Sequence, residues 1–155
     1  MITQEQKKFM QMAIDLSHYA LDSKRGGPFG AVIVKDGKII GCSGNSVFAL
    51  MDPTAHAEIM AIRDACKNMN SVDLTGCEIY SSAEPCPMCL AAIYWAQMKS
   101  IYYSNTEEDS LEYGFVDKEI LHELRKHKDK RILKSTHVAN PEAIIAFEKA
   151  LKAHV

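Results

Sequence analysis

Apolar residues recur at helical spacing over the first part of the chain. Successive members lie three or four positions apart, which places them on one face and predicts an amphipathic helix over residues 3–21. Thr3 and Gln6 have the spacing of a capping box, in which each side chain binds the backbone N–H of the other, so this helix is expected to begin directly after Thr3. The apolar face consists of Phe9, Met12, Ala13, Leu16 and Ala20.

A β-hairpin is predicted next. Two short apolar segments, residues 31–34 and 38–42, flank the pair Asp36-Gly37, which is typical of a tight hairpin turn. A glycine- and proline-rich stretch over residues 26–30 separates the hairpin from the first helix, because such residues interrupt regular structure.

The middle of the chain alternates helices with strands. Asp52-Pro53 has the pattern of an N-cap followed by proline at the first helical position, which predicts a second helix that ends near residue 68. A strand over residues 77–82, a helix over 86–97 and a strand over 100–104 follow. The helix over 86–97 is apolar on nearly every side, so we expect it to be buried.

The last third of the chain has a weaker pattern. A helix is predicted over residues 118–130 and a strand over 132–138, and Asn140-Pro141 marks the start of a last helix. This last helix is expected to face the core with Ile144, Phe147 and Leu151. Strands that alternate with helices indicate an α/β sandwich, with helices covering a largely mixed sheet. No repeat or linker interrupts the chain, which predicts one domain over residues 1–155.

Composition narrows the class of partner. The chain has 155 residues, the size of one domain, with a net charge of −2 and a pI of about 6.3. Nucleic-acid binders usually carry a basic excess, so no nucleic-acid partner is expected. No apolar run approaches the roughly 20 residues that cross a membrane, and the polar first eight residues lack the core of a signal peptide. Five cysteines, an odd number, do not suggest a disulfide framework. A cytoplasmic location is therefore predicted.

Two short clusters carry the candidate chemistry, and each lies near a predicted helix start. The first is His56-Ala57-Glu58, and the second contains Cys86 and Cys89, three residues apart. This spacing places both sulfurs on one face of a helix, and the positive end of the helix favours thiolates. Two thiolates and one imidazole form a three-ligand zinc site whose fourth position is open to water. The sequence predicts one Zn²⁺ per chain.

Glu58 is predicted to be the catalytic acid–base group. It can share a site with His56 only where the end of the helix faces the metal, and there it would move protons without binding zinc. A Cys-x-x-Cys pair alone is also typical of redox proteins, so a dithiol without hydrolase activity is an alternative. A structural zinc site would need a fourth protein ligand, and no second close pair of cysteines or histidines is present.

The two clusters together resemble the cytidine deaminase-like superfamily, whose zinc deaminases carry His-x-Glu followed by Pro-Cys-x-x-Cys. The resemblance covers residues 5–120 and is closest to bacterial guanine deaminases. Three further stretches carry it: Gly26-Gly27-Pro28-Phe29-Gly30-Ala31, Asp52-Pro53-Thr54-Ala55 and Ala92-Ile93-Tyr94-Trp95-Ala96. It implies a three-layer α/β/α sandwich around a mixed five-stranded sheet, and a homodimer.

The resemblance also implies a reaction in purine metabolism, namely hydrolytic deamination of guanine to xanthine and ammonia. The predicted substrate-binding residues are Phe29, Asn45, Ala57, Trp95 and Asp117. The resemblance implies that the Asn45 amide bonds the base and that Asp117 accepts a purine N–H. Phe29 and Trp95 are expected to form apolar walls, and by their position backbone donors near Ala57 and Cys86 would bind the new C2 hydroxyl.

The family pattern is altered close to Asp117. Gly114-Phe115-Val116-Asp117 resembles the Gly-Phe-Asp-Asp of guanine and guanosine deaminases, but Val116 departs from it, and the chain after residue 118 matches poorly. A deaminase of guanosine, or of another amino-purine or amino-triazine, is therefore an alternative. A tRNA adenosine (A-to-I) deaminase is another, since a basic run over residues 125–131 could contact phosphate.

Overall fold

A computed structural model describes residues 2–115 and 118–153 of the chain. Val116 and Asp117 lie outside the described residues. The chain folds as two compact units, Met1–Glu119 and Ile120–Val155. One functional domain over residues 1–155 therefore stays a prediction.

Nine helices and strands lie within the first unit among the described residues. They are α1 (Gln4–Asp22), β1 (Gly30–Lys35), β2 (Lys38–Gly44), α2 (Val47–Leu50), α3 (Ala57–Met69), β3 (Glu78–Ala83), α4 (Pro87–Trp95), β4 (Ser100–Asn105) and α5 (Glu107–Glu112). The chain continues with α6 (Lys118–Arg125), a 3₁₀ turn (Lys128–Lys130) and α7 (Glu142–Lys152). Among these described helices, none combines the length and the apolar character required to span a lipid bilayer.

The strands form one mixed sheet in the order β2-β1-β3-β4. Strand β1 pairs antiparallel with both β2 and β3, whereas β3 and β4 are parallel. The prediction of an α/β fold with a mixed sheet is confirmed, but the described residues supply four strands rather than five. Residues 132–138, predicted as a strand, adopt none. The backbone N–H of Ile132 instead donates to Glu123 Oε2, and the side chains of Ile132 and Leu133 are exposed. This segment therefore has neither the strand pairing nor the side-chain burial that favours a β-strand.

Helices cover both faces of the sheet, which confirms the three-layer α/β/α sandwich. Successive side chains of a strand point to opposite faces. Along β1, Ala31 and Ile33 belong to the core beneath α3 and α4, whereas Val32 and Val34 belong to the core beneath α1. The side chain of Phe9 on α1 packs in the second core and lies 5.4 Å from the ring of Tyr80, centroid to centroid.

Small residues bring helix α3 very close to the sheet. Its buried face is built from alanines, and a Cβ at Gly41 of β2 would lie 2.5 Å from the carbonyl oxygen of Ala61 and 2.6 Å from the nitrogen of Ala65. Only glycine permits backbones to approach this closely. The contact fixes α3 against the sheet, and its N-terminal end is therefore held in a defined position.

The predicted start of α1 is confirmed, and that of α3 is wrong. Thr3 and Gln6 form both hydrogen bonds of a capping box. Helix α3 begins at Ala57 with His56 as its N-cap residue, four positions later than predicted. The Asp52 carboxylate accepts hydrogen bonds from the backbone and the hydroxyl of Thr54, so it closes a turn before the helix instead of capping it.

Two predictions of burial are also wrong. Helix α4 buries Cys89 and Ile93, but Tyr94 and Trp95 are 76% and 86% exposed, because α3 and the sheet pack against only one side of it. On α7, the residues predicted to face a core are exposed: Ile144, Phe147 and Leu151. The described part of the second unit supplies no apolar layer that covers them. Helix α7 begins at Glu142 with Pro141 as its N-cap residue, one position later than predicted, and Asn140 Oδ1 accepts from the backbone N–H of Glu142 at 2.9 Å.

We expect Gly30→Ala to destabilise the protein. The new Cβ would lie 2.6 Å from the Ser17 nitrogen and 2.8 Å from Leu16 Cβ, so α1 would have to move away from β1. Overpacking of this kind costs about 1–3 kcal/mol, which urea unfolding would measure as a lower midpoint. Gly37→Asn is the matched control, because Gly37 has a positive φ of 73° that asparagine tolerates. Equal stability of the two variants would contradict the close packing of α1.

Candidate active site

Two helices begin at the same place, beyond one end of the sheet. His56 is the N-cap residue of α3, and Cys86 is the N-cap residue of α4. Strand β3 ends at Ala83, and Pro87 at the first position of α4 starts the helix almost at once. The N-terminal ends of helices carry partial positive charge and unpaired N–H groups, so this place favours anionic ligands such as thiolates.

The structure brings together the three predicted metal ligands. His56 Nδ1 lies 3.6 Å from Cys86 Sγ and 3.5 Å from Cys89 Sγ. All three atoms lie within 4.8 Å of one another, and among the described residues they form the one such group of three or more His, Cys, Asp or Glu side chains. Cys86 Sγ also accepts a hydrogen bond from the backbone N–H of Cys89, which caps α4.

The spacing of these atoms fits zinc. Bonds of about 2.3 Å to sulfur and about 2.0–2.1 Å to nitrogen, meeting at a tetrahedral angle, separate the two ligand atoms by roughly 3.5–3.6 Å. Both measured nitrogen–sulfur distances have this value. Two sulfurs and one imidazole are also a donor set that zinc prefers, and three ligands leave one tetrahedral position for water.

The two thiols are electrostatically unequal. The hydrogen bond from the Cys89 thiol, aided by His56 and by the Cys89 backbone N–H, lowers the pKa of Cys86 to about 4, although burial acts in the opposite direction. The same hydrogen bond, together with burial and the nearby Glu58, raises the pKa of Cys89. A thiol that ligates a metal must be deprotonated, so metal binding releases the proton that Cys89 retains.

Glu58 lies beside this cluster without belonging to it. It is the second residue of α3 and is only 6% exposed. Its Oε1 accepts a hydrogen bond from Ser81 Oγ at 3.3 Å, and its Oε2 lies 3.5 Å from Cys89 Sγ. Burial, and next the charge of Cys86, raise the pKa of the Glu58 carboxyl. A raised pKa makes a carboxyl group better suited to exchange protons near neutral pH.

A cavity of about 300 Å³ opens onto the cluster, and all of its lining lies within the first unit. This volume is at the lower end of the range for small-molecule sites and suits one flat ring system. The lining residues are Phe29, Asn45, His56, Glu58, Glu84, Cys86, Gly114 and Phe115.

Asn45 presents one end of its amide to this cavity with the other end already bonded. Its side chain is buried, and Oδ1 accepts a hydrogen bond from the backbone N–H of Val47 at 3.1 Å. The backbone N–H of Asn45 itself donates to the carbonyl of Phe29 at 2.9 Å. The amide is therefore held in place, and its NH₂ end is the group available to donate to a ligand.

The other predicted binding residues differ in position. Phe29 lines the cavity and contacts Phe115 edge-to-face, with ring centroids 5.0 Å apart, so the two rings form an apolar wall. Trp95 is exposed at the end of α4, and the structure does not bring it to this cavity. Ala57 packs its side chain in the core, which leaves its backbone as its only possible contribution. Asp117 lies outside the described residues.

Three residues that line the cavity were not predicted from the sequence: Glu84, Gly114 and Phe115. Glu84 Oε2 accepts from the backbone N–H of Glu107 at 3.0 Å, and its backbone N–H donates to Asn105, so Glu84 ties the start of α5 to the rim of the cavity. The position of Glu84 directly before Pro85-Cys86 was the signal in the sequence that it lies near the site. Gly114 and Phe115 belong to the stretch that resembles the Gly-Phe-Asp-Asp pattern, and this resemblance was the available signal for both.

Comparison with known families agrees with this geometry. Residues 3–105 match the family described as the cytidine and deoxycytidylate deaminase zinc-binding region. The chain belongs to this zinc-binding deaminase family. The resemblance seen in the sequence is confirmed, and as a member of the family the protein is a zinc-dependent hydrolytic deaminase.

The relatives of this chain differ in the substrates that their names give. Guanine deaminase of Bacillus subtilis (strain 168) is 44% identical over 140 residues, which are 90% of this chain and 90% of that protein. The X-ray structure of guanine deaminase from Bacillus subtilis has a TM-score of 0.90 at 42% identity, over 94% of this chain and 93% of that one. The tRNA-specific adenosine deaminase of Aquifex aeolicus (strain VF5) is 48% identical over 77 residues, 50% of this chain and 51% of that protein.

We expect Cys86→Ala to lose zinc. The change removes one of three ligand atoms and the side-chain cap of α4, so metal analysis of the purified variant should find far less than one zinc per chain. Cys42→Ser is the matched control, since Cys42 is an exposed free thiol on β2 outside the cluster. Full zinc in Cys86→Ala, with a folded circular dichroism spectrum, would argue against this site.

Proposed function

We propose that this deaminase converts guanine to xanthine and ammonia. The observation that carries the proposal is the likeness to a guanine deaminase over nine-tenths of both chains, in sequence and in structure. The likeness to the Aquifex aeolicus tRNA enzyme covers half of each chain. A cavity of about 300 Å³ beside the metal cluster is consistent with a free base as substrate.

His56, Cys86 and Cys89 are the zinc ligands in this proposal. Zinc held there lowers the pKa of water and so makes a nucleophile available at neutral pH. The protein holds Nδ1 of His56 toward both sulfurs, and it offers N–H groups from the starts of α3 and α4. The backbone near Ala57 and Cys86 would stabilise the oxygen that develops on C2 of guanine.

Glu58 moves the protons. It accepts one proton from the attacking water and delivers it to the neighbouring ring nitrogen N3. It then accepts the proton of the new C2 hydroxyl and delivers it to the amine, which departs as ammonia while C2 becomes a carbonyl. Oε2 lies 3.5 Å from Cys89 Sγ, and this closeness to the metal cluster supports a role in activating the water. Its burial and its raised pKa support both halves of this cycle, because the same group must accept and return a proton.

The rest of the cavity would orient the base. Phe29 and Phe115 form the apolar wall against which a purine can stack, and the NH₂ group of Asn45 can donate to a carbonyl oxygen of the ring. Asp117 is proposed to accept a purine N–H, as the family resemblance implies. Because Trp95 is exposed on α4, we do not assign it to the wall of this cavity.

A tRNA substrate is the second candidate, and the C-terminal basic run weighs little in its favour. Lys126 pairs with Glu123, and Arg131 donates to the backbone carbonyls of Glu123 and Leu124. These contacts occupy part of the hydrogen-bonding capacity of Lys126 and Arg131 within the second unit. Together with a net charge of −2, this supports a small-molecule substrate without a nucleic-acid partner.

A homodimer in the cytoplasm completes the proposal. The outer side of α4 exposes an apolar surface made of Leu90, Tyr94 and Trp95, and aromatic side chains of this kind are enriched at protein interfaces. A second copy of the chain is the partner expected for it. All five cysteines are free thiols, as expected in a reducing compartment.

Ammonia release by the zinc-loaded protein tests the substrate. Guanine, guanosine, cytosine, adenine and a tRNA anticodon stem-loop would be offered in parallel at matched concentration. We expect turnover of guanine far above the others, because the small cavity admits a single base. Preference for the stem-loop, with turnover that falls as salt is raised, would favour RNA editing instead. If guanine gave no ammonia while another compound was turned over, the zinc chemistry would stand and the assigned base would be overturned.

Glu58→Gln tests the proton transfers. Glutamine keeps the size of the side chain and can bond to Ser81, but it cannot carry a proton, so turnover should fall by roughly two to four orders of magnitude. Zinc content should be unchanged, since Glu58 is not in the ligand cluster. Turnover within a few-fold of the parent, measured per bound zinc, would show that another group moves the protons.

A further inference from the structure

The central strand β3 carries two adjacent buried serines with different partners. Side chains alternate along the strand, so Ile79 and Ser81 face α3, whereas Tyr80 and Ser82 face α1. Ser82 Oγ accepts a hydrogen bond from the backbone N–H of Gly30 and so connects β3 to the start of β1. Ser81 Oγ instead donates to Glu58 Oε1 on helix α3 at 3.3 Å, so this hydrogen bond does not connect two strands.

The position of Ser81 is rigid. Its backbone lies between two neighbouring strands, opposite Ala31 of β1 and Tyr103 of β4. Its side chain is only 1% exposed. Because the backbone that carries it is paired on both sides, the buried Ser81 hydroxyl cannot travel with a moving partner, and it restricts where the bonded oxygen of Glu58 can lie.

The two oxygens of Glu58 consequently have different surroundings. Oε1 is bonded to Ser81 on the sheet side, and Oε2 lies 3.5 Å from Cys89 Sγ on the side of the metal cluster. The carboxylate of an unrestrained glutamate rotates readily about its last torsion. The Ser81 hydroxyl opposes this rotation and keeps one defined oxygen toward the cluster.

We propose that Ser81 is a positioning residue, which fixes the Glu58 carboxylate so that Oε2 alone exchanges protons with water and substrate. Ser81 does not line the cavity, and it acts only through Glu58. The inference rests on the proposed acid–base role of Glu58 and adds to it the group that orients the carboxylate. Orientation matters because proton transfer requires hydrogen-bond geometry between the carboxylate and the group that it serves.

Ser81→Ala is the first test. On the substrate that the ammonia assay identifies, we expect kcat to fall about tenfold to a hundredfold, the range for loss of a hydrogen bond to a charged group. KM and zinc content should not change, because neither the cavity wall nor a ligand is altered. Ser81→Thr retains the hydroxyl and should restore kcat per bound zinc, even if its extra methyl lowers the unfolding temperature.

Ser82→Ala is the matched control, a buried serine on the opposite face of the same strand. It loses the bond to Gly30, so it should lower stability while kcat per bound zinc stays close to that of the parent. Equal losses of kcat in Ser81→Ala and Ser82→Ala would overturn the inference, since they would indicate a general disturbance of β3. Parental kcat in Ser81→Ala, or no recovery in Ser81→Thr, would also overturn it.

The double variant Ser81→Ala/Glu58→Gln separates this inference from the function on which it rests. If Ser81 acts through Glu58, removing its hydroxyl from the Glu58→Gln protein should change turnover no further. An additional loss of the full size would overturn the positioning role, although Glu58 would keep its own. Near-parental turnover in Glu58→Gln alone would instead contradict the acid–base assignment, whatever Ser81→Ala does.

Discussion

The convergence of two helix starts on three ligand atoms is the constraint on which the first unit depends. His56 and Cys86 are both N-cap residues, and a shift of either helix by one residue would remove a ligand atom from the 3.5–3.6 Å spacing. The alanine face of α3 and Gly41 set the height of α3 above the sheet, because no larger side chain could fit between them. Pro87 starts α4 directly after β3. Packing and chemistry therefore restrict the same few positions.

A second consequence of this arrangement is that an ionisable carboxyl group is buried next to the metal cluster. Glu58 lies in the first turn of α3 with its carboxylate between the sheet and the metal cluster. Burying such a group costs free energy unless it is hydrogen-bonded, and one donor is Ser81 on the inner strand β3. The unfavourable burial of Glu58 therefore goes together with the proton transfers proposed for it.

Local signals were read correctly from the sequence, and signals that depend on neighbours were not. The capping box of Thr3 and Gln6 and the turn at Asp36-Gly37 depend only on adjacent residues, and both are present. The start of α3 was misplaced because Asp52 can cap a helix or close a turn, and only the tertiary structure decides. Exposure of Trp95, and the absence of a strand after Arg131, depend on what packs nearby, which a pattern of apolar residues cannot specify. The metal cluster was predictable because its ligands have fixed spacing, whereas Glu84 and Phe115 reach the cavity through the fold alone.

Gly114 and Phe115, which form one side of the cavity, come from a part of the chain well separated in sequence from the reactive groups. Every side chain proposed for hydrolysis lies between residues 56 and 89, while these two residues follow α5. Substitutions in the later stretch would alter this side of the cavity without replacing any of the proposed hydrolytic groups. A gene duplicate could therefore acquire a different substrate by altering residues after β4 while retaining an intact hydrolytic centre.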